Sequence, residues 1–295
     1  MHRANGVGVE LTVAGGTDLG RIRRNNEDAF LIADLSAQET TPNPPATVSL
    51  SVGDLGILLA VSDGMGGERS GEVASALALD ALRQTTSAAL ARLAPDAALK
   101  AAVESANREV ADAAAASPER SGMGATLTAC LVYGGVAHVA EVGDSRAYLL
   151  RRGRLVQLTR DQSFVQLLVD SGGLTPQAAG ESMLRNVILQ AIGKTPEITV
   201  AMSRLELRRG DRLLLCTDGL TSMVADDELA TIVSDPPSLD VGCARLIARA
   251  IGQGGRDNVT VILADVSGPE VPEAREDGEL SDTFREDTTP QGPKC

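Results

Sequence analysis

Two short apolar runs in the sequence each stop on Asp-Gly: Leu58-Leu59-Ala60-Val61-Ser62-Asp63-Gly64 and Leu213-Leu214-Leu215-Cys216-Thr217-Asp218-Gly219. Runs of this length bounded by a turn signal read as strands buried on both faces. An unpaired carboxylate at the end of such a strand is costly. The repeated ending, more than 150 residues apart, therefore points to two carboxylates that share a cation. Two further acidic turns abut apolar strands. Glu27-Asp28 precedes Ala29-Phe30-Leu31-Ile32, and Asp257, in Gly254-Gly255-Arg256-Asp257-Asn258, precedes Val259-Thr260-Val261-Ile262-Leu263. Asp-Gly is also a common turn dipeptide, so each motif alone reads as a turn. Four together read as a shared site.

The ligand chemistry narrows the ion. There are only two histidines. His2 lies at the terminus, and His138, in Val136-Ala137-His138-Val139-Ala140, reads as an ordinary strand residue. The lack of any Cys-x-x-Cys or His-Glu-x-x-His spacing argues against a zinc site of the usual nitrogen and sulfur ligands. Oxygen donors select Mg²⁺ or Mn²⁺. A carboxylate cluster without histidine suits two such ions about 3.5–4 Å apart that polarise a bridging water. The glycines of Asp63-Gly64-Met65-Gly66-Gly67 let backbone approach an ion and present the Gly64 carbonyl. Arg23, next to Glu27-Asp28, has the planar fork that binds a phosphoryl group in two places. Its alternative is a solvated place among the three arginines of the turn Gly20-Arg21-Ile22-Arg23-Arg24.

The elements that must position these residues follow from periodicity and punctuation. Residues 9–34 read as two strands around that basic turn, and 35–54, with Pro42, Pro44 and Pro45, as a surface loop. Two Ala-rich helices follow, the second with Leu99, Val103, Ala106 and Val110 on one face and Pro95 in its first turn. From Ala125 to Gln157 the chain breaks into short alternating segments at Gly134-Gly135, Gly143-Asp144 and Arg152-Gly153, as antiparallel hairpins do. Residues 162–192 are mixed and partly helical. Strand patterns return at 198–207, 211–216 and 259–266, and helical patterns occupy 226–234 and 238–252. Strands interrupted by helix pairs without strict alternation imply an α+β fold with antiparallel sheets. The expected organisation is a flexible 1–8, one domain over 9–266, and an acidic, disordered tail over 267–295.

Composition sets limits. The 295 residues are 43% hydrophobic with no Trp, so Leu, Val, Ile and Ala must build the core. A net charge of −13 argues against nucleic acid. Eight acidic and three basic residues in Gly268–Cys295 supply −5 of it. An acidic cleft attracts divalent cations and cationic peptides. No run approaches the roughly 20 apolar residues of a membrane span. The terminus has no apolar signal region, and the isolated Cys130, Cys216, Cys243 and Cys295 read as reduced thiols, so the expected location is the cytoplasm.

With these residues laid out, the chain resembles the metal-dependent protein phosphatases of the PP2C (PPM) type, above all the bacterial Ser/Thr phosphatases that oppose Hanks-type kinases. The motifs that carry the resemblance are Arg23-Arg24-Asn25-Asn26-Glu27-Asp28, Asp63-Gly64-Met65-Gly66-Gly67, Gly122-Met123-Gly124-Ala125-Thr126-Leu127, Val142-Gly143-Asp144-Ser145-Arg146, Leu215-Cys216-Thr217-Asp218-Gly219-Leu220 and Gly255-Arg256-Asp257-Asn258. The resemblance implies a β-sandwich of two antiparallel sheets flanked by helix pairs, in α-β-β-α layers, with two Mn²⁺ or Mg²⁺ ions at one end. It gives Asp63 to both ions, Asp218 and Asp257 to one, and the Gly64 carbonyl to the other. Glu27 and Asp28 act directly or through water, and Arg23 holds the substrate phosphate. The activity implied is hydrolysis of phosphoserine and phosphothreonine without a phospho-enzyme. The partners implied are phosphorylated proteins, including a Ser/Thr kinase and its substrates, for a monomeric enzyme. A regulatory binding protein is the competing class, and it should have lost one of Asp63, Asp218 or Asp257.

Some positions depart from the family's pattern. Glu119 stands where relatives have an Asp that holds a third, weaker metal. Asp161-Gln162-Ser163 replaces Asp-His-Ser, and Ser182-Met183-Leu184-Arg185-Asn186 replaces His-Pro-x-Arg-Asn, both in or near a flap at about 162–190 that shapes substrate entry. Met65 stands where animal members carry a histidine.

Overall fold

Strands β1 (Glu10–Asp18) and β2 (Asp28–Asp34) open the chain, followed by β3 (Val48–Ser51) and β4 (Ile57–Met65). Helices α1 (Ser70–Ala89) and α2 (Pro95–Ala115) come next, then β5 (Gly124–Ala125), β6 (Leu127–Tyr133), β7 (Val136–Val142), β8 (Arg146–Arg151) and β9 (Arg154–Gln157). The second half holds α3 (Phe164–Asp170), α4 (Pro176–Glu181), β10 (Ala201–Glu206), β11 (Arg212–Cys216), α5 (Asp218–Thr221), α6 (Asp226–Ser234), α7 (Leu239–Gly252), β12 (Val259–Ser267) and β13 (Phe284–Arg285). This computed structural model describes residues 8–37, 47–66, 70–274 and 284–285.

The strands form two antiparallel sheets, of order β3-β1-β12-β11-β8-β9 and β13-β10-β7-β6-β4-β2, with β5 paired to β4. Alternation along each strand explains the layering. In β4, Ile57, Leu59 and Val61 face the other sheet, whereas Leu58 and Ala60 face α1 and α2. In β11, Leu213 and Leu215 face the inter-sheet core, whereas Leu214 and Cys216 pack beneath α5–α7. Both strands are thus buried on both faces, as their unbroken apolar runs require. The result is the α+β sandwich expected from the sequence, in four layers. Among the described residues no helix is long and apolar enough to cross a membrane.

The structure differs from the sequence reading in three places. The stretch 35–54, which reads as loop, contains β3, which pairs with β1 through Val13↔Val48 to Glu10↔Ser51. Residues 38–46, with the three prolines, lie outside the described residues. Asp218 does not end β11 but opens α5. Beyond β12 the chain stays on the body: Val271 is buried in the inter-sheet core and the Arg209 amide donates to the Pro272 carbonyl. β13 pairs with β10, so part of the expected tail is sheet, and the rest of that tail lies outside the described residues. Residues 1–7 also lie outside them.

Candidate metal centre

The carboxylates gather because the same alternation that fills the inter-sheet core continues past its apolar part. Ile57, Leu59 and Val61 are followed on the same face of β4 by Asp63. Phe30 and Ile32 are preceded on the same face of β2 by Asp28. The two strands are registered so that Asp28 lies opposite Asp63. From the other sheet, Thr217 follows Leu213 and Leu215 on the inward face and places Asp218 beside them. Its hydroxyl donates to Asp28 Oδ2 at 2.8 Å. Asp257 arrives on the turn before β12. Beneath the acids lies a floor of hydroxyls: Thr126 accepts the Asp63 amide proton at 2.9 Å and sits 2.7 Å from Ser145, and Thr17 sits 2.7 Å from Thr260.

Asn258 organises the basic turn over this floor. Its Oδ1 accepts the Glu27 amide proton at 2.8 Å, and its Nδ2 donates to the carbonyls of Leu19 and Asn25. So held, half-exposed Arg23 reaches Asp257 Oδ2 at 2.6 Å. Arg23 thereby has a specific partner and is not merely a solvated turn residue. The guanidinium is raised above its ordinary value chiefly by that bond. Gly64 and Gly71 come together where α1 starts. A Cβ on Gly64 would collide with the Gly71 and Glu27 carbonyls, and one on Gly71 would stand 2.8 Å from Glu27 Oε2. This glycine pair lets the backbone and the Glu27 carboxyl close on the site; Gly67, the last residue of that motif, lies outside the described residues.

The electrostatics show what the cluster lacks. Burial first, then the neighbouring carboxylates Asp28, Asp218, Asp257 and Asp144, push Asp63 well above the usual range, although one edge of it stays open to solvent. Asp28 is pushed up to about 7 by burial, only partly offset by its threonine hydrogen bonds. Asp218 rises to about 6 through burial and the charge of Asp257, partly offset by a hydrogen bond with Asp63. Glu27 is raised by burial. Asp28 Oδ1 and Asp218 Oδ1 are buried without any hydrogen-bond partner. Orphaned acceptors of like charge fit a divalent cation. No group of three or more is closed tightly enough to hold an ion, among the described residues.

A pH effect follows. These carboxylates titrate above their unfolded value near 4, so between about pH 4 and 7 the folded chain binds more protons than the unfolded one. The stability these protons supply is complete at low pH and lost as pH rises through the raised values. Metal-free protein should therefore melt lower at pH 8 than at pH 5.5, and saturating Mn²⁺ should raise the melting temperature more at pH 8. Equal shifts at both values would show that the ion does not bind these groups.

The structure thus brings Arg23, Glu27, Asp28, Asp63, Gly64, Asp218 and Asp257 to one end of the sandwich. Glu119 stands apart on a short 3₁₀ turn with its side chain exposed, its carbonyl accepting the Ser70 hydroxyl at 2.8 Å. His138 is a buried strand residue of β7, lowered by burial. Sequence reasoning missed Thr126, Thr217 and Asn258 as supporting residues, although each lies inside a motif it had picked out. It also missed Asp144, which is buried and pushed well above the usual range by burial and by Asp218.

Comparison with known proteins gives a consistent picture. The family model described as protein phosphatase 2C matches residues 39–244. The chain is 40% identical over 264 residues to the serine/threonine protein phosphatase PstP of Mycobacterium tuberculosis, covering 87% of this chain and 45% of that protein, so it spans about half the length of that relative. It is 34% identical over 253 residues to the serine/threonine phosphatase stp of Listeria welshimeri, covering 84% of this chain and 93% of the relative. The crystal structure of M. tuberculosis PstP/Ppp superposes with a TM-score of 0.74 at 38% identity, over 87% of this chain and 98% of that one. The PstP catalytic domain in complex with two manganese ions superposes with a TM-score of 0.71 at 37% identity, over 88% and 99%.

Proposed function

The chain belongs to the protein phosphatase 2C family, and from that premise we propose that it hydrolyses phosphoserine and phosphothreonine in proteins with divalent cations. The observation that carries this reading is the set of facing carboxylates of Asp28, Asp63 and Asp218, raised in pKa, with two buried oxygens unpartnered. Asp63, central to the group, would hold the ions in common; Asp218 and Asp257 would complete the hold on one and the Gly64 carbonyl on the other, with Glu27 and Asp28 acting directly or through water. When bound, the ions polarise a water for in-line attack on phosphorus and offset the charge that develops there. Arg23 holds the substrate's phosphate oxygens, exchanging its contact with Asp257 for a paired contact with phosphate. Glu119 enters only as an outer ligand of a third, weaker ion, reached from its exposed turn.

The substrates are phosphorylated proteins, and the names of the bacterial relatives support a role in reversing Ser/Thr kinase signalling. A monomer in the cytoplasm is the proposed state. The experiment is hydrolysis of a phosphothreonine peptide and a small aryl phosphate with Mn²⁺, with EDTA, and by Asp218→Asn in Mn²⁺. Turnover that requires Mn²⁺ and that EDTA and the substitution each abolish supports the reading. No turnover by folded, Mn²⁺-loaded wild type would replace it with a regulatory role based on binding alone.

A further inference from the structure

Residues 162–190 leave the sheets and return through one narrow neck. The Phe164 amide donates to the Val187 carbonyl at 2.8 Å and the Leu189 amide to the Gln162 carbonyl at 2.7 Å, with Ser163 opposite Ile188. Between them lie α3, α4 and five large apolar side chains left exposed: Leu167, Met183, Leu184, Val187 and Leu189. Gln162 is their opposite, only 5% exposed. Its Oε1 accepts the Gly143 amide proton at 2.9 Å, its Nε2 donates to the Thr199 carbonyl at 3.2 Å, and its own amide donates to the Gly143 carbonyl at 2.7 Å. From the returning side Gln190 grips the same residue, donating to the Thr199 carbonyl at 3.1 Å and accepting its amide proton at 2.8 Å.

Two short paths run from this neck to the metal centre. Gly143 has φ +112°, and a Cβ there would stand 2.7 Å from the Thr126 methyl group. Only a glycine lets the turn rest on Thr126, whose hydroxyl accepts the Asp63 amide proton. On the other path Ile192, just past the neck, exchanges both backbone hydrogen bonds with Ala125, and Ala125 pairs with Gly64.

We propose that Gln162 is a positioning residue: by spanning Gly143 and Thr199 it fixes the apolar rim of the 162–190 excursion relative to Asp63 and Gly64. This rests on the phosphatase reading and deepens it. The rim then governs capture of the polypeptide on either side of the phosphorylated residue, whereas hydrolysis itself stays with the metal centre. What the position needs is one acceptor and one donor. An amide supplies both, and so does a neutral imidazole. Leucine fills a similar volume and supplies neither.

The test compares wild type, Gln162→Leu and Gln162→His at pH 8 in saturating Mn²⁺, with a phosphothreonine peptide of about ten residues (long enough to cross the rim) and a small aryl phosphate. Losing one neutral hydrogen-bonded bridge is expected to raise KM for the peptide roughly tenfold in Gln162→Leu, with kcat and all aryl phosphate kinetics within about twofold. Gln162→His should restore the peptide KM. Tryptic cleavage after Arg185 should be faster in the leucine variant and return to the wild-type rate with histidine. An unchanged peptide KM, an equal loss on both substrates, or a histidine variant no better than leucine would overturn the proposal. If wild type hydrolyses neither substrate, the phosphatase reading falls instead. Proteolysis then decides alone, and an unchanged cleavage rate in Gln162→Leu overturns the role of the neck.

Discussion

Asp63→Asn is expected to remove Mn²⁺-supported phosphopeptide turnover by at least about 10³-fold while raising the melting temperature of the metal-free protein at pH 8. The two effects have one cause. In the folded chain Asp63 faces Asp28, with Asp218 and Asp257 close enough to raise its pKa, and the Arg23 guanidinium is held by Asp257. Charge at this position is a cost of the fold, one that a bound divalent cation would offset. An amide removes the repulsion but cannot be shared by two ions, because its carbonyl is a weaker, neutral donor. The backbone has no reason to change: the Asp63 amide still donates to Thr126, and its carbonyl still accepts the Thr126 amide proton at 2.8 Å. A calorimetric scan after EDTA treatment, read beside a turnover assay, checks both halves. A lower melting temperature would mark Asp63 as structural, and turnover within tenfold of wild type would remove it from the metal centre.

How far the sequence led is clearest at β4 and β11. Their unbroken apolar runs indicated that the strands are buried on two faces and carried the expectation that the terminal carboxylates share a cation. Which neighbours supply the partner is a long-range matter. The register that sets Asp28 opposite Asp63 and the Thr217 hydroxyl that bridges to Asp28 depend on pairings between segments far apart in sequence. β3 was hidden for a different reason: four residues with two serines, half-buried at a sheet edge, give no alternation long enough to read. Asp218 reads as the end of a strand because Cys216-Thr217 continue the apolar pattern. The turn into α5 is set by Gly219, whose lack of a Cβ lets it close on the Asn258 carbonyl. The folding back of residues 268–274 was masked by their charge and prolines, which outweigh the single apolar anchor Val271 in any composition argument.

A second large effect is expected far from the chemistry, and in stability alone. Asp211→Ala should lower stability by about 3–5 kcal/mol, a melting-temperature drop on the order of 10 °C for a chain of this size. Asp211 and Arg151 form a two-pronged pair, Nε to Oδ1 at 2.8 Å and Nη2 to Oδ2 at 2.7 Å, with side-chain exposures of 1% and 8%. Asp211 Oδ2 also accepts the Arg208 amide proton at 2.7 Å, and Arg151 donates to the Glu206 carbonyl at 2.9 Å. Removing the acid therefore strands a buried guanidinium and a buried amide together, and the guanidinium cannot escape by losing its proton. Arg151→Met with Asp211→Leu should recover most of the loss, since apolar groups of like volume replace a buried pair at little cost. Because Asp211 precedes β11 and Asp218 follows it, the pair sits roughly 20 Å along the strand from the metal centre. Below its melting temperature the alanine variant should thus keep the wild-type kcat and Mn²⁺ requirement. A change in either would mean that the two ends of β11 are not independent, and a loss under 1 kcal/mol would mean that water reaches Arg151 once its partner is gone.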